Sequence, residues 1–202
     1  MKILPTNKIE KKIRRKGYKT IAGVDEAGKG ALAGPIVAAC VVLPENFKNT
    51  YKITDSKLLT PNKRQELYLY IIKNALSWAV GVVDNKTIEK TGIKQANILA
   101  FEKAISKIHI PLDYVLVDGL DVDLNIPMPY ECIVKGDQKS VSISAASIVA
   151  KFTRDHIMQL HHRDYPEYGF HNHKGYGTLD HVVTLKNSGP VSIHRKNFKS
   201  VL

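Results

Sequence analysis

Four acidic residues stand where short apolar stretches of the sequence end. Asp25 and Glu26 close a β-branched stretch, and Asp118 closes the apolar run 114–117. Asp137 lies between a predicted strand and a predicted helix. Acids at the ends of neighbouring strands can converge on one side of a sheet, and all-oxygen sites of this kind suit Mg²⁺ or Mn²⁺. The four carboxylates therefore predict a divalent metal site.

Repulsion among these carboxylates points the same way. Like charges a few ångströms apart raise one another's pKa, and a bound cation relieves this repulsion. Because Asp25 and Glu26 are adjacent, their side chains would point to opposite faces of a strand and could not both be simply solvated if that strand is buried. Two simpler interpretations stay open. Asp25 and Glu26 can form a polar strand terminus, and Asp137 is equally typical of a helix cap.

The glycine-rich segment around the first two acids, Gly23–Pro35, has two other possible interpretations. It matches most of a phosphate-binding loop through Gly28 and Lys29, yet Gly30 stands where a magnesium-binding hydroxyl is needed. The two acids would also place negative charge where phosphate binds. A dinucleotide-binding fingerprint would require a helix directly after the loop, whereas residues 35–43 are typical of a strand.

The charge balance indicates a polyanionic partner. The 202-residue chain has 30 Lys and Arg against 19 Asp and Glu, which gives a formal net charge of +11. An excess of this size favours nucleic acid as the partner. Charge alone does not separate an enzyme from a non-catalytic RNA-binding protein, which would show salt-sensitive binding without a metal-dependent product.

Composition also disfavours several classes of protein. The longest run without strongly polar residues, Ala31–Leu43, is shorter than the ~20 residues that a bilayer span needs. The N-terminal segment lacks the apolar core of a signal peptide, and Cys40 and Cys132 do not suggest a disulfide framework. We therefore expect a cytoplasmic protein with no membrane partner. Zinc is disfavoured because no Cys accompanies the irregularly spaced histidines, which are His161, His162, His171 and His173.

Apolar periodicity predicts a mixed α/β fold. β-branched and apolar stretches predict five strands, at 20–26, 35–43, 78–83, 113–118 and 131–134. Helical spacing and capping residues predict helices that start at Thr60-Pro61, cover 93–108, cover 142–161 and run from Thr178 to Gly189. This order is typical of a mixed sheet flanked by helices. The Lys-rich residues 1–19 predict a short helix or a tail on the surface.

Six ordered segments give the sequence a resemblance to a known family. They are GVDEAGKGALAGP, TDSKLLT, YVLVDG, KGDQKSVSISAASIVAKFTRD, YGFHNHKGYGT and GPVSIHRKNF, and they span nearly the whole chain. With them the sequence resembles ribonuclease HII, a bacterial family that cleaves RNA strands paired with DNA. The resemblance implies an α/β ribonuclease H-like fold, with a mixed β-sheet flanked by helices. Residues 1–19 would form a basic N-terminal segment and residues 20–202 the catalytic domain, whose helical C-terminal portion covers residues 160–202.

By this resemblance the catalytic acids are Asp25, Glu26, Asp118 and Asp137, and the metal ligands are Asp25, Glu26 and Asp118. The implied chemistry is phosphodiester hydrolysis with two Mg²⁺ or Mn²⁺ ions, which leaves 3′-hydroxyl and 5′-phosphate ends. The implied substrates are RNA–DNA hybrids and DNA duplexes that contain ribonucleotides, cut on the 5′ side of a single ribonucleotide. A monomer is expected.

The resemblance also implies substrate-binding residues. The family's glycine-arginine-glycine loop, whose backbone approaches the ribose 2′-hydroxyl, corresponds to Gly28-Lys29-Gly30, where Lys replaces the usual Arg and a bidentate phosphate contact is lost. The family's substrate-sensing tyrosine corresponds to Tyr176, whose ring would support the deoxyribose after the RNA–DNA junction. The segment Asp55-Ser56-Lys57 matches a family segment near the nucleic-acid path, although a turn with an Asx-type hydrogen bond explains it equally well.

Overall fold

A computed structural model describes residues 4–198 and residue 201 of the chain. Parts of two predicted segments lie outside the described residues. These are residues 1–3 of the basic N-terminal segment and residues 199, 200 and 202 of the C-terminal portion.

One mixed sheet forms the centre of the molecule. Its strands are β1 (Ile21–Ala27), β2 (Ile36–Val42), β3 (Ser77–Val83), β4 (Tyr114–Asp118) and β5 (Tyr130–Ile133). Their order is β3-β2-β1-β4-β5, with β2 antiparallel to both of its neighbours and with β4 and β5 parallel to β1. The five predicted strands are confirmed, and their ends differ from the prediction by at most one residue.

Helices flank the sheet on both faces. They are α1 (Lys8–Arg14), α2 (Pro61–Asn74), α3 (Asn85–Thr91), α4 (Ile93–Ser106), α5 (Val141–Asp164), α6 (Phe170–His173) and α7 (Leu179–Ser188). The predicted caps at Thr60 and Thr178 are confirmed, since each side chain accepts a backbone N–H in the first turn of its helix. Within residues 4–198, no helix is both long enough and apolar enough to cross a bilayer.

Helix α3, which has only seven residues, was not predicted from the sequence. Asp84 caps it by accepting the Thr87 N–H, and Gly92 ends it with a φ of 80°. Helix α4 starts directly after this glycine. One residue separates the two helices. Helix α3 was missed because seven residues are too few to show a clear helical period.

Each face of the sheet carries a hydrophobic core. On one face α3 and α4 pack against the strands around Phe101, which is fully buried. On the other face α2 and α5 pack together around Ile71 and Val149. A separate cluster around Tyr168 and Phe170 forms the core of the C-terminal helices. Strands β1 and β4 are adjacent inner strands, so their C-terminal ends lie next to each other within the sheet.

The N-terminal segment contains the predicted short helix, and that helix is docked by a buried glutamate. Glu10 in α1 is 5% exposed, and its Oε1 accepts hydrogen bonds from the Ser140 hydroxyl at 2.6 Å and the Ser142 N–H at 3.1 Å. Nearby, Thr6 forms an isolated parallel bridge with Ser140, and Ile13 is 1% exposed. Helix α1 therefore completes the N-terminal cap of α5 and is part of the packed structure.

Helix α5 makes its closest approach to the sheet at Gly23. A Cβ atom at residue 23 would lie 2.2 Å from the carbonyl carbon of Ser142. We expect Gly23→Ala to lower the free energy of unfolding by about 2–3 kcal/mol, because the helix and the strand would have to separate. Urea denaturation measures this loss. Gly30→Ala is the matched control, since a Cβ atom there meets nothing within 4 Å. Equal losses in the two variants would contradict the prediction.

Candidate active site

Two carboxylates lie side by side near the C-terminal ends of two adjacent inner strands of the sheet. The parallel register pairs Val24 of β1 with Val117 of β4, so Asp25 and Asp118 are the next residues on adjacent strands. Adjacent strands lie about 4.8 Å apart. Asp25 is only 5% exposed, whereas Asp118 is half-buried. The sheet therefore brings together two of the predicted acids from positions far apart in the sequence.

Asp137 is brought to Asp118 by a short turn. It lies in the 3₁₀ turn Gly136–Gln138, and the Gly136 N–H donates to Oδ1 of Asp118 at 2.6 Å. The interpretation of Asp137 as a helix cap is wrong, because α5 begins at Val141 and its capping side chain is that of Ser140. Asp137 is buried in this turn and is free of a helix-capping role.

Glu26 follows Asp25 on β1, and its side chain lies on the other face of the sheet. Side chains alternate along a strand, so Glu26 points toward α4 while Asp25 points toward α5. Hydrogen bonding by the Asn97 side chain of α4 lowers the pKa of Glu26, and hydrogen bonding by the Ser147 hydroxyl of α5 lowers that of Asp25. In both cases larger effects oppose this lowering.

Burial and mutual repulsion dominate the electrostatics of the four acids. Burial, together with the charges of Glu26 and Asp118, raises the pKa of Asp25 well above its ordinary value. Burial also raises the pKa of Glu26, with the Lys29 ammonium opposing the shift and Asp118 adding to it. Burial and Asp118 raise the pKa of Asp137 to about 6. Asp118 therefore acts on each of the other three carboxylates.

Lys57 brings a positive charge to these acids. The Lys57 N–H donates to Oδ1 of Asp55 at 2.9 Å, which is the Asx-type turn considered above. Burial would lower the pKa of Lys57, but Asp55, Asp25 and Asp137 together raise it. The Lys57 side chain therefore lies within electrostatic reach of the acids. The turn and a role beside the acids are compatible interpretations of this segment.

The donor set suits a hard divalent cation. Its four side chains offer only oxygen atoms, which are the ligands that Mg²⁺ and Mn²⁺ prefer. A cation between them would also relieve the repulsion that raises their pKa values. Among residues 4–198 and 201, however, no group of three or more His, Cys, Asp and Glu side chains is already close enough to form a metal site. The histidines weighed for zinc form no such group there either.

A cleft of about 480 Å³ opens beside the acids. Basic side chains and a glycine loop dominate its lining, which includes Glu26, Gly28–Gly30, Lys57, Arg64, Lys151 and Tyr176. Lys29 and Gly30 are exposed at the loop's tip. Because β2 follows this loop, the phosphate-loop and dinucleotide interpretations are both wrong, since each requires a helix there.

Arg154 of α5 connects the glycine loop, which spans residues 28–35 between β1 and β2, to a second loop, residues 174–178 between α6 and α7. It is fully buried and donates to the carbonyls of Pro35 at 2.9 Å, Ala33 at 3.1 Å and Lys174 at 2.9 Å. A Cβ atom at Gly28, whose φ is 96°, would lie 1.9 Å from Nε of this arginine. Only glycine therefore fits at residue 28 above the guanidinium.

Arg195 holds the same glycine loop from another side. It is also fully buried, and it donates to the carbonyls of Gly34 and Lys29, each at 3.0 Å. The sequence analysis assigned no role to either arginine. The available signal for Arg154 was its helical spacing with the apolar residues Ala150 and Met158, four positions before and after it. For Arg195 it was the matched segment GPVSIHRKNF.

Tyr176 lies on the second loop at the side of the cleft. Its ring centroid is 5.3 Å from Nζ of Lys151 and 5.0 Å from Cζ of Arg154. Asp155 forms ion pairs with Lys151 at 2.6 Å and with Arg64 at 3.1 Å. The half-buried ring therefore lies against two cations of α5, and the glycine loop lines the same cleft.

Comparisons with known proteins agree with this geometry. The family model described as "Ribonuclease HII" matches residues 22–201. The ribonuclease HII of Ligilactobacillus salivarius is 46% identical over 194 residues, which cover 96% of this chain and 75% of that protein. The ribonuclease HII of Syntrophus aciditrophicus is 47% identical over 191 residues, which cover 94% of this chain and 89% of that protein.

The architecture is similar to that of a solved relative as well. The ribonuclease H2 of Pyrococcus horikoshii OT3 superposes with a TM-score of 0.77 at 28% identity, covering 90% of this chain and 95% of that one. The ribonuclease H-like fold that the resemblance implied is thereby confirmed. The chain belongs to the ribonuclease HII family and is an endonuclease of the ribonuclease H type.

Proposed function

We propose that the protein cuts the RNA strand of RNA–DNA hybrids and also nicks duplex DNA on the 5′ side of a single embedded ribonucleotide. The observation that carries this proposal is the placement of four carboxylates beside a basic cleft that also contains a glycine loop and a tyrosine. Membership of the ribonuclease HII family supports hybrid cleavage. The nicking of single ribonucleotides rests on Tyr176 and the Gly28–Gly30 loop.

Recognition of RNA requires a group that reads the 2′-hydroxyl, which distinguishes RNA from DNA at a given position. The Gly28–Gly30 backbone can approach a ribose closely, because Gly28 has no side chain and Gly30 faces open space. Lys29 contributes one ammonium where the family has a guanidinium, so it attracts phosphate without a bidentate contact. Tyr176 would support the neighbouring sugar with its ring and reach the 2′-hydroxyl with its own hydroxyl.

The acids divide into two roles in this proposal. Asp25 and Asp118, adjacent on parallel strands, would hold both of two divalent ions, while Glu26 and Asp137 would each complete one. The chemistry that Mg²⁺ or Mn²⁺ would supply at these residues is activation of a water and stabilisation of the leaving 3′-oxygen. Asp118 is oriented by the Gly136 N–H, which keeps its second oxygen available. Lys57 balances part of the negative charge and attracts the phosphate.

A labelled DNA duplex with one ribonucleotide tests the proposal directly. We expect a nick on the 5′ side of the ribonucleotide with Mg²⁺ or Mn²⁺ and none with EDTA. The products should carry 3′-hydroxyl and 5′-phosphate ends. Cleavage of a long hybrid without this nick would contradict the roles of Tyr176 and the glycine loop. Salt-sensitive binding without any cleavage would instead identify a passive binder.

Replacing Asp118 by Asn should abolish turnover while hybrid binding survives. The amide oxygen can still accept the Gly136 N–H, but it carries no charge for a metal. We expect a loss of about 10³-fold or more in rate, since a catalytic metal supplies several kcal/mol. Single-turnover cleavage and a binding titration in Ca²⁺ measure the two properties. A loss of binding as large as the loss of rate would count against the assignment.

The same variant should be more stable than the wild type when metal is absent. The folded-state pKa values of Asp25 and Asp137 lie above those of unfolded carboxyls, so the metal-free fold loses stability as pH rises through them. Asp118→Asn removes a charge that raises both values. Thermal melts in EDTA at pH 4 and pH 8 should therefore show a smaller loss in the variant. An equal loss in both proteins would contradict this reading.

Two substitutions of Tyr176 separate its ring from its hydroxyl. Tyr176→Phe should slow cleavage at a single ribonucleotide roughly 3- to 10-fold, the effect of one lost hydrogen bond, and Tyr176→Ala should slow it further. Cleavage within a long hybrid should fall less in both variants. Initial rates on the two substrates measure the difference. Equal losses on both substrates would make Tyr176 a general packing residue.

A further inference from the structure

Three histidines pack together beneath the loop that carries Tyr176, and the reaction proposed above uses none of them. His181 and His194 are fully buried, and the ring of His173 stacks on that of His181 with centroids 4.4 Å apart. The aromatic rings of Tyr168 and Phe170 surround them. His181 and His194 are therefore shielded from solvent, and none of the three histidines lines the cleft.

Hydrogen bonding determines which nitrogen of His194 carries a proton. The Val191 N–H, which can only donate, lies 2.9 Å from Nδ1 of His194. This nitrogen must therefore accept, and in a neutral ring the proton lies on Nε2. Nε2 of His194 is 3.0 Å from Nε2 of His181. His194 consequently donates to His181 across this contact.

His181 connects His194 to the backbone of Tyr176 through its two ring nitrogens. Because Nε2 of His181 accepts from His194, its own proton lies on Nδ1. Nδ1 of His181 lies 2.9 Å from the carbonyl oxygen of Tyr176, which can only accept. Each nitrogen of the two rings therefore has one role, and the chain of donors runs from Val191 through both histidines to Tyr176.

His173 holds the residue before Tyr176 in a similar way. The Gly175 N–H donates to Nδ1 of His173 at 3.1 Å, so Nε2 of that ring donates to the Tyr168 carbonyl at 2.7 Å. The Tyr176 N–H donates to the carbonyl of His173 at 3.0 Å. The peptide groups on both sides of Tyr176 are therefore hydrogen-bonded to this histidine cluster.

This arrangement of donors and acceptors requires uncharged rings, and burial favours the uncharged form of both. Burial lowers the pKa of His181 and lowers that of His194 to about 4. A proton added to Nε2 of His181 would face the Nε2–H of His194 across their 3.0 Å contact. A proton added to Nδ1 of His194 would instead face the Val191 N–H at 2.9 Å. The directional chain therefore exists only with both imidazoles uncharged.

We propose that His181 and His194 are positioning residues, which hold the main chain of Tyr176 through a chain of neutral imidazoles with a single pattern of donors and acceptors. This inference rests on the proposed function, because that function assigns recognition of the ribose 2′-hydroxyl to Tyr176. A tyrosine whose carbonyl is held can keep its hydroxyl at a distance suited to one 2′-hydroxyl. Small misplacements of such groups cost large factors in rate.

Nitrogen-15 NMR of the labelled wild-type protein at pH 7 tests the chain itself. Long-range ¹⁵N–¹H correlations distinguish the two neutral tautomers from the charged ring. We expect the Nδ1–H form for His181 and the Nε2–H form for His194. The opposite tautomer in either ring, or a charged ring, would overturn the proposal whatever the enzyme's activity.

Matched amide substitutions of His181 test its effect on cleavage. An Asn side chain places an amide nitrogen near the position of Nδ1, so His181→Asn keeps the donor to Tyr176. A Gln side chain reaches the position of Nε2 and leaves the Tyr176 carbonyl without this donor. We expect His181→Gln to lower the ratio of single-ribonucleotide nicking to hybrid cleavage roughly 3- to 10-fold. His181→Asn should restore most of that ratio.

Equal falls on both substrates in the Gln variant would overturn the proposal, since a purely structural role predicts them. If that variant fails to fold, His194→Asn replaces it, because Asn keeps an acceptor for the Val191 N–H and removes the donor to His181. This variant should lower the ratio of single-ribonucleotide nicking to hybrid cleavage, and His181 should no longer be found only in its Nδ1–H form. An unaltered ratio would overturn the proposal. A wild-type enzyme that never nicks single ribonucleotides would refute the proposed function, whereas the tautomers would still be measured independently.

Discussion

Arg154 and Arg195 bury their positive charges among carbonyl oxygens, and the substrate cleft depends on that arrangement. Removing a guanidinium from water is costly unless its N–H groups find partners. Burial lowers the pKa of Arg154, and burial with the charge of Arg154 lowers that of Arg195 to about 9. Their partners are main-chain carbonyls of the glycine loop and of Lys174. Arg154 donates to both loops, so moving one loop relative to the other would break buried hydrogen bonds of this guanidinium.

The four acids differ from the two arginines, because they lie beside groups of like charge. Here the fold gathers like charges at the ends of two neighbouring strands, and burial together with this repulsion raises the pKa values of Asp25, Glu26 and Asp137. The parallel register of β1 and β4 maintains it, because separating Asp25 from Asp118 would require breaking the strand pairing. A site built to attract cations is therefore destabilising until they bind, which is a common relation between activity and stability.

Local patterns carried most of what the sequence could predict. The strands follow from runs of β-branched residues, and the acids stand out because they end those runs. The two arginines were missed because their partners lie 119 to 166 residues away for the glycine loop, and periodicity does not show such contacts. The docking of α1 through Glu10 was missed for the same reason, across 130 residues. The histidine chain was missed because tautomers follow only from three-dimensional neighbours.

The reach of Arg195 has a consequence for how the enzyme is made. Its hydrogen bond to Lys29 spans 166 residues of chain. Chains fold progressively as the ribosome releases them, so β1 with its acids emerges long before this arginine does. The loop beside those acids can take its final form only after residue 195 has left the exit tunnel. A nascent chain therefore carries the carboxylates of β1 before the hydrogen bond from Arg195 that holds the loop beside them can form.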